Sequence, residues 1–238
     1  MNMHSYPSPM PHGPIEQLFD NVFWVHGSVK LAPAMTMNRN MVIINDGSKL
    51  TLINPVRLNK SEEAKLEQLG DICRVMRLGD FHGLDDRYYV DKYQTEFWCQ
   101  HGSTTYSAPT PSHIIESGID SPITNSTFFV FEKAKFPEAA LLMADHKLLI
   151  TTDSIQHHSD WSYTNFLGRI TLKLMGFELK TQIGKPWLKR VTAKGDSLKP
   201  DFDRLCALEF DTLLAAHGAP LKNSANLVVS RLVDELYP

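Results

Sequence analysis

The spacing of hydrophobic and polar positions changes several times along this chain, and each change marks an element. Asn21 to Gly27 (Asn-Val-Phe-Trp-Val-His-Gly) reads as a first strand. Met41 to Asn45 and Leu50 to Asn54 are apolar runs flanking Asp46-Gly47, a dipeptide whose residues tolerate positive φ and so favour a tight hairpin. Ser61 to Gly70 predicts a helix, with Ser61 as N-cap, Glu62 and Glu63 in its first turn and a terminal glycine. Ile72 to Leu78 then predicts a strand and completes a β-α-β unit. Asp86 to Tyr93 is expected to be helical and Thr95 to Gln100 a short strand. His101 to Asn125 is loop-rich, with Pro109, Pro111 and Pro122. Ser126 to Phe131, Ala139 to Met143 and Lys147 to Thr152 predict the strands of a second sheet. Trp161 to Gly176 alternates at helical spacing, so the aromatics of Trp161 to Phe166 are expected in a helix core. Gly184 to Ser197 reads as irregular. Pro200-Asp201 opens a helix, since proline lacks only an amide that the first turn leaves unbonded. Phe210 to Ala216 predicts a strand, and Asn223 to Leu236 a closing amphipathic helix. No fixed short repeat is present. The order of elements predicts two sheets with helices outside.

Composition narrows the class. At 238 residues with 42% hydrophobic and 21% charged residues the chain is an ordinary globular one. A chain this long buries roughly 70–75% of its unfolded surface and needs neither disulfide nor metal to hold a core. The net charge is −3, and its 24 Lys and Arg are scattered along the sequence. Neither nucleic acid nor a membrane is therefore expected as a partner, because both select clustered cations. The cysteines, Cys73, Cys99 and Cys206, form no C-x-x-C pair and are expected as reduced, packed thiols of a cytoplasmic protein. Residues 1–14 hold four prolines and no apolar core, which predicts a flexible arm rather than a secretory signal. Draped on a neighbour, such an arm is compatible with a homodimer. Residues 15–238 are expected to form one domain.

The candidate chemistry lies at strand tips. Gly79-Asp80-Phe81-His82-Gly83-Leu84-Asp85-Asp86-Arg87 follows a predicted strand, Lys147 to Asp153 is an apolar run ending in an acid, and Leu213 to Pro220 passes through His217-Gly218. Strand ends are where α/β proteins place sites, so three tips carrying His or Asp predict one shared site. Simpler roles compete at each position. Asp85 or Asp86 can cap a helix, Asp153 can cap the segment after it, and His217-Gly218 can be a turn. His157-His158 could be a ligand pair but is expected as a solvated one, and Glu132 or Glu138 could stand in for a histidine ligand but is expected as a surface or buried paired glutamate. No Gly-x-Ser-x-Gly elbow or phosphate-binding glycine loop occurs.

Taken together, Leu52-Ile53-Asn54 ending a hairpin, the His82 to Arg87 loop, Thr152-Asp153 and His217-Gly218 resemble the metallo-β-lactamase-like fold, an α+β four-layer αβ/βα sandwich. The resemblance runs from about Asn21 to the end of the chain. It implies convergence of His82, Asp86, Asp153 and His217. The chain departs from the family pattern where Leu84 and Arg87 replace two loop histidines. A third histidine is missing from Phe131 to Glu138. Carried over residue by residue, His82 alone survives of the first metal's ligands, whereas Asp86, Asp153 and His217 survive for the second. The implied cofactor is at most one divalent metal, Zn, Mn or Fe, with Arg87 opposing cation binding by its charge. His82 would orient or deprotonate water. The implied activity is metal-dependent hydrolysis of a small ester, lactone or related molecule. The alternative is a metal-free, non-catalytic member of the fold that serves as a ligand-binding or interaction scaffold.

Overall fold

The computed structural model describes residues 6–238. Two sheets carry the molecule. The larger has seven strands in sequence order, β1 (His12–Phe19), β2 (Val22–Ala32), β3 (Met35–Asp46), β4 (Lys49–Ile53), β5 (Asp71–Arg77), β6 (Glu96–Cys99) and β7 (His113–Ile114). The first four pair antiparallel, and β4 through β7 run parallel. Helices α1 (Lys60–Leu69) and α2 (Asp86–Tyr93) make two of the parallel crossovers. The second sheet has the order β13-β10-β9-β8, built from β8 (Ser126–Val130), β9 (Ala139–Met143), β10 (Leu148–Thr151) and β13 (Thr212–Ala215). A two-residue pair, β11 (Gln156–His157) with β12 (Thr181–Gln182), lies beside it. Four further helices follow, α3 (Phe166–Leu174), α4 (Lys185–Val191), α5 (Lys199–Cys206) and α6 (Ala225–Leu236).

The apolar alternation explains the layering. Val42, Ile44 and Met76 from one sheet meet Leu141, Ile150 and Leu214 from the other in a central core. The opposite face of the larger sheet, with Met41, Ile43 and Leu52, buries Leu66 of α1 and Tyr89 of α2. The outer face of the smaller sheet, with Leu149 and Leu213, is covered by Trp187, Phe202 and Val229 of α4, α5 and α6. The result is helix, sheet, sheet, helix, the expected α+β sandwich. No helix among the described residues is long and apolar enough to cross a membrane.

Several local expectations differ. The α1 cap is Asn59, whose Oδ1 accepts from Ser61 N at 3.0 Å and Glu62 N at 3.1 Å; Ser61 lies inside the helix. Strand β1 went unpredicted because Pro14 interrupts it, and an edge strand tolerates a missing amide. Helix α4 starts at Lys185, with Pro186 in its first turn, within the stretch expected to be irregular. Phe166, expected in the core, stands 74% exposed. Residues 1–5 of the predicted flexible arm lie outside the described residues. From Tyr6 onward the arm packs on its own chain: the Tyr6 hydroxyl donates to Asp91 at 2.8 Å and Arg57 donates to the Pro7 carbonyl at 2.8 Å. The three cysteines are free thiols, as expected.

Candidate metal centre

Three strand tips converge. The loop after β5 carries His82, the end of β10 leads to Asp153, and the end of β13 leads to His217. One ligand atom from each lies within 4.8 Å of the others. His82 Nε2 is 3.1 Å from Asp153 Oδ2, and His217 Nε2 is 3.1 Å from Asp153 Oδ1. The two imidazole rings are 5.2 Å apart. Both histidines are buried, and Asp153 is partly open to a cleft of about 440 Å³.

Backbone and neighbouring amides fix these groups. His217 Nδ1 is 2.6 Å from the Asn38 carbonyl oxygen, which can only accept, so Nδ1 carries the proton. The Asn38 side chain accepts from Gly218 N, while Asn40 donates to the Ala215 and Gly218 carbonyls at 2.8 and 2.7 Å. Gly218 has φ of 86°, and an added Cβ would collide with the His157 carbonyl. Both facts require glycine there. On the other side, the buried Glu138 accepts from Thr152 Oγ1, Asp153 N at 3.1 Å and Ser154 N at 3.0 Å. These bonds hold the turn that presents Asp153. Arg39, also buried, donates to the carbonyls of His82 and Pro55 and so ties the His82 loop to β3 and β4.

The electrostatics fit a cation. Burial, above all, lowers the His82 pKa and outweighs the raising effect of Asp153. Burial pushes the Asp153 carboxyl up, but the charges and hydrogen bonds of His82 and His217 more than offset it, and the group is held below the usual carboxylate range. With Nδ1 committed to the Asn38 carbonyl, His217 turns Nε2 towards Asp153 Oδ1 3.1 Å away. That pair of atoms can share a proton or hold a cation between them. His82 Nδ1 is likewise buried without a hydrogen-bond partner. Two imidazoles and one carboxylate, with a backbone carbonyl orienting one ring, form a donor set suited to Zn, Mn or Fe.

Asp86 does not join this group. Its carboxyl is fully buried beside Arg77, with Nε to Oδ2 at 3.5 Å, and neither oxygen has a hydrogen-bond partner. The Arg77 guanidinium, buried at the tip of β5, draws it away from the three donors. Burial drives the Asp86 carboxyl up to about 7, against the pull of Arg77 and Arg39. Asp85 does not cap α2 with its side chain; it accepts from Arg57 N at 3.1 Å. Arg87 points away to Asp91 at 3.3 Å. His158 is buried rather than solvated, bonded to Gln156 at 2.9 Å, and His157 is bonded to Thr181 at 2.8 Å. Glu132 lies outside, accepting from Ser117 at 2.6 Å. Asn38, Arg39 and Asn40 escaped the sequence reading, whereas Glu138, named there, is buried and braces the Asp153 turn without being one of the three donors. The only hint was a polar triplet running directly into the apolar strand Met41 to Ile44.

No family model matches the sequence, and no curated protein matches it. Solved structures do match. The DIM-1 metallo-β-lactamase aligns with a TM-score of 0.68 at 7% identity, covering 95% of this chain and 99% of that one. A metallo-β-lactamase from Erythrobacter litoralis aligns with a TM-score of 0.61 at 11% identity, covering 96% of each chain. The FIM-1 metallo-β-lactamase from Pseudomonas aeruginosa, solved in a mono-zinc form, aligns with a TM-score of 0.62 at 10% identity, covering 98% of this chain and 99% of that one. With this coverage at such low identity, the likeness is one of fold: the chain has the metallo-β-lactamase-like fold over nearly its whole length.

Proposed function

We propose that the protein is a metal-dependent hydrolase of a small ester, lactone or related molecule, and that His82, Asp153 and His217 hold one divalent cation. The observation that carries this reading is His217. Its Nδ1 is committed to Asn38 O, which turns its Nε2 towards Asp153 and into the group of three donors. This set makes His82 a ligand, where the resemblance implied a water-orienting role for it, and leaves Asp86 to Arg77, in place of the Asp86, Asp153 and His217 set expected. When bound, the cation supplies Lewis acidity and activation of water. The chain's own residues do the rest. Asp153, partly open to the cleft, would hold the cation and can accept a hydrogen bond that orients an entering water. Arg39 lines the same cleft and keeps a positive charge beside developing negative charge. Tyr106 also lines it; burial raises its phenol pKa, so the hydroxyl keeps its proton and can donate to substrate. The apolar walls, Leu84, Met37 and Trp187 among them, favour a substrate with an apolar body.

Elemental analysis of protein purified without chelator tests the reading, followed by a screen of esters, lactones and phosphodiesters. About one equivalent of metal and hydrolysis lost on its removal are expected. Less than about a tenth of an equivalent, with no gain in stability on adding Zn²⁺, Mn²⁺ or Fe²⁺, supports the metal-free scaffold instead.

A further inference from the structure

Helix α3 turns an apolar face outward. Phe166, Ile170 and Leu174 recur at four-residue spacing and so form one stripe. Phe166 is 74% exposed and Leu174 84%. Leu167, Met175, Leu179 and, from β2, Leu31 are also exposed. The helix is held by its opposite side: Leu172 is buried against Met37 and Phe177, and Gly168 passes so close to the Thr36 carbonyl that a side chain would clash. The outward stripe is therefore surplus to folding. Its surroundings are cationic. Between Phe166 and Arg190 the sequence holds Arg169, Lys173, Lys180, Lys185, Lys189 and Arg190, with Glu178 as the only acid. All six cations are exposed. An added Cβ on Gly176 would lie 4.0 Å from Lys185 Nζ, which places that charge at the end of α3. Leu31 and Met175 also line the cleft above His82 and His217, together with Lys30 and Arg190.

We infer that this face docks on an anionic lipid surface, with the apolar stripe of α3 seated among the headgroups and the surrounding Lys and Arg on their phosphates. Contiguous exposed apolar side chains signal an interaction surface. An apolar helix face rimmed by cations is the composition that lies in a lipid interface. A second copy fits less well, because a two-fold contact would bring the same excess of positive charge together. The chain's net charge of −3 conceals this segment, in which six cations stand against Glu178, itself paired with Lys180 at 2.9 Å. The cleft shares Leu31 and Met175 with the patch, so docking would open it towards the lipid surface.

Co-sedimentation with vesicles, using the full chain and needing no catalytic activity, tests this. Protein is expected to sediment with phosphatidylcholine vesicles containing phosphatidylserine, less so as salt rises, and not with phosphatidylcholine alone. Lys173→Ala and Lys185→Ala should each weaken binding about fivefold. Phe166→Ser with Leu174→Ser should weaken it roughly tenfold or more, with an unchanged circular dichroism melt. Failure of the wild type to sediment with phosphatidylserine vesicles overturns the inference. So does equal binding to both vesicle types. A solution dimer that the Phe166→Ser, Leu174→Ser pair dissociates would assign the face to a second copy.

Discussion

His82 and Asp86 sit four positions apart on the same loop, both buried, and their surroundings answer the same problem in different ways. Asp86 meets a cation that the chain supplies itself, the Arg77 guanidinium at 3.5 Å. His82 meets Asp153, and Asp153 meets His217, with one ligand atom of each within 4.8 Å of the others. The Asp86 side balances its charge internally, and burial still drives its carboxyl up to about 7. The His82 side gathers donors whose geometry can take a charge from outside. The contrast shows how one loop can keep part of a metal site while converting the rest into an internal ion pair.

The sharpest way to break this comparison is to remove a group from each side. Asp153→Ala and His217→Ala should each cut metal content from about one equivalent to below about a tenth. Asp86→Asn should keep its metal. Elemental analysis of the three variants decides the matter, and loss of metal from Asp86→Asn would mean that the two regions are one site.

How far the sequence revealed this can be followed residue by residue. The sandwich was legible because apolar runs such as Met41 to Ile44 and Leu148 to Ile150 must be buried on both faces, and only a layered fold does that. His82, Asp153 and His217 were legible as polar residues at the ends of such runs. The partner of Asp86 was not. Arg77 lies inside a predicted strand, where its neighbours give no sign that the guanidinium is buried at the tip. The Asn38–Asn40 brace was hidden for a related reason, since its partners at Ala215 and Gly218 are far along the chain. Local patterning reports which face a residue occupies. It does not report which distant polar group meets it there.

A pH series sharpens the contrast from the Asp86 side. Its folded carboxyl titrates at about 7, whereas its ordinary value is 3.8. Between these values the folded state holds a proton that the unfolded state has lost, so stability falls as pH rises through that window and is level above it. Near the middle of the window the slope is about 1.4 kcal/mol per pH unit. Asp86→Asn removes this fall. Glu138, pushed up to about 8 chiefly by burial, contributes with the same sign; His158, lowered to about 3 by burial, contributes with the opposite sign. Both cancel when the metal-free variant is compared with the metal-free wild type. Urea unfolding at about pH 4.5 and about pH 7.5 reads the difference. Parallel behaviour of the two proteins would mean that Asp86 is already ionised across the range.

Asn38→Ala acts on the metal side more gently. It leaves the backbone carbonyl that accepts from His217, but removes the acceptor of Gly218 N and the donor to Gly27 O. The His217 turn should loosen and metal affinity fall about tenfold, at the lower end of what supporting contacts contribute. Competitive titration with a chelating dye measures it. An unchanged affinity would place the burden of orientation on Asn40 and the backbone alone.

The smallest effect should come from Arg87→His, although the family pattern places a metal ligand at that position. Arg87 sits on the outer side of α2, about a third exposed, and pairs with Asp91 at 3.3 Å. Such a surface pair contributes about 0–1 kcal/mol, so stability should change within that range. Metal affinity should not change, because the side chain is not among the residues lining the cleft above His82 and His217. Calorimetric titration of the variant against the wild type is the measurement. A clear rise in affinity would mean that a histidine there draws the loop round to recreate a second ligand group, with Asp86 leaving Arg77 to join it. The two halves of the loop would then exchange ligands freely, and the Arg77–Asp86 pair would be one state of the site rather than its replacement.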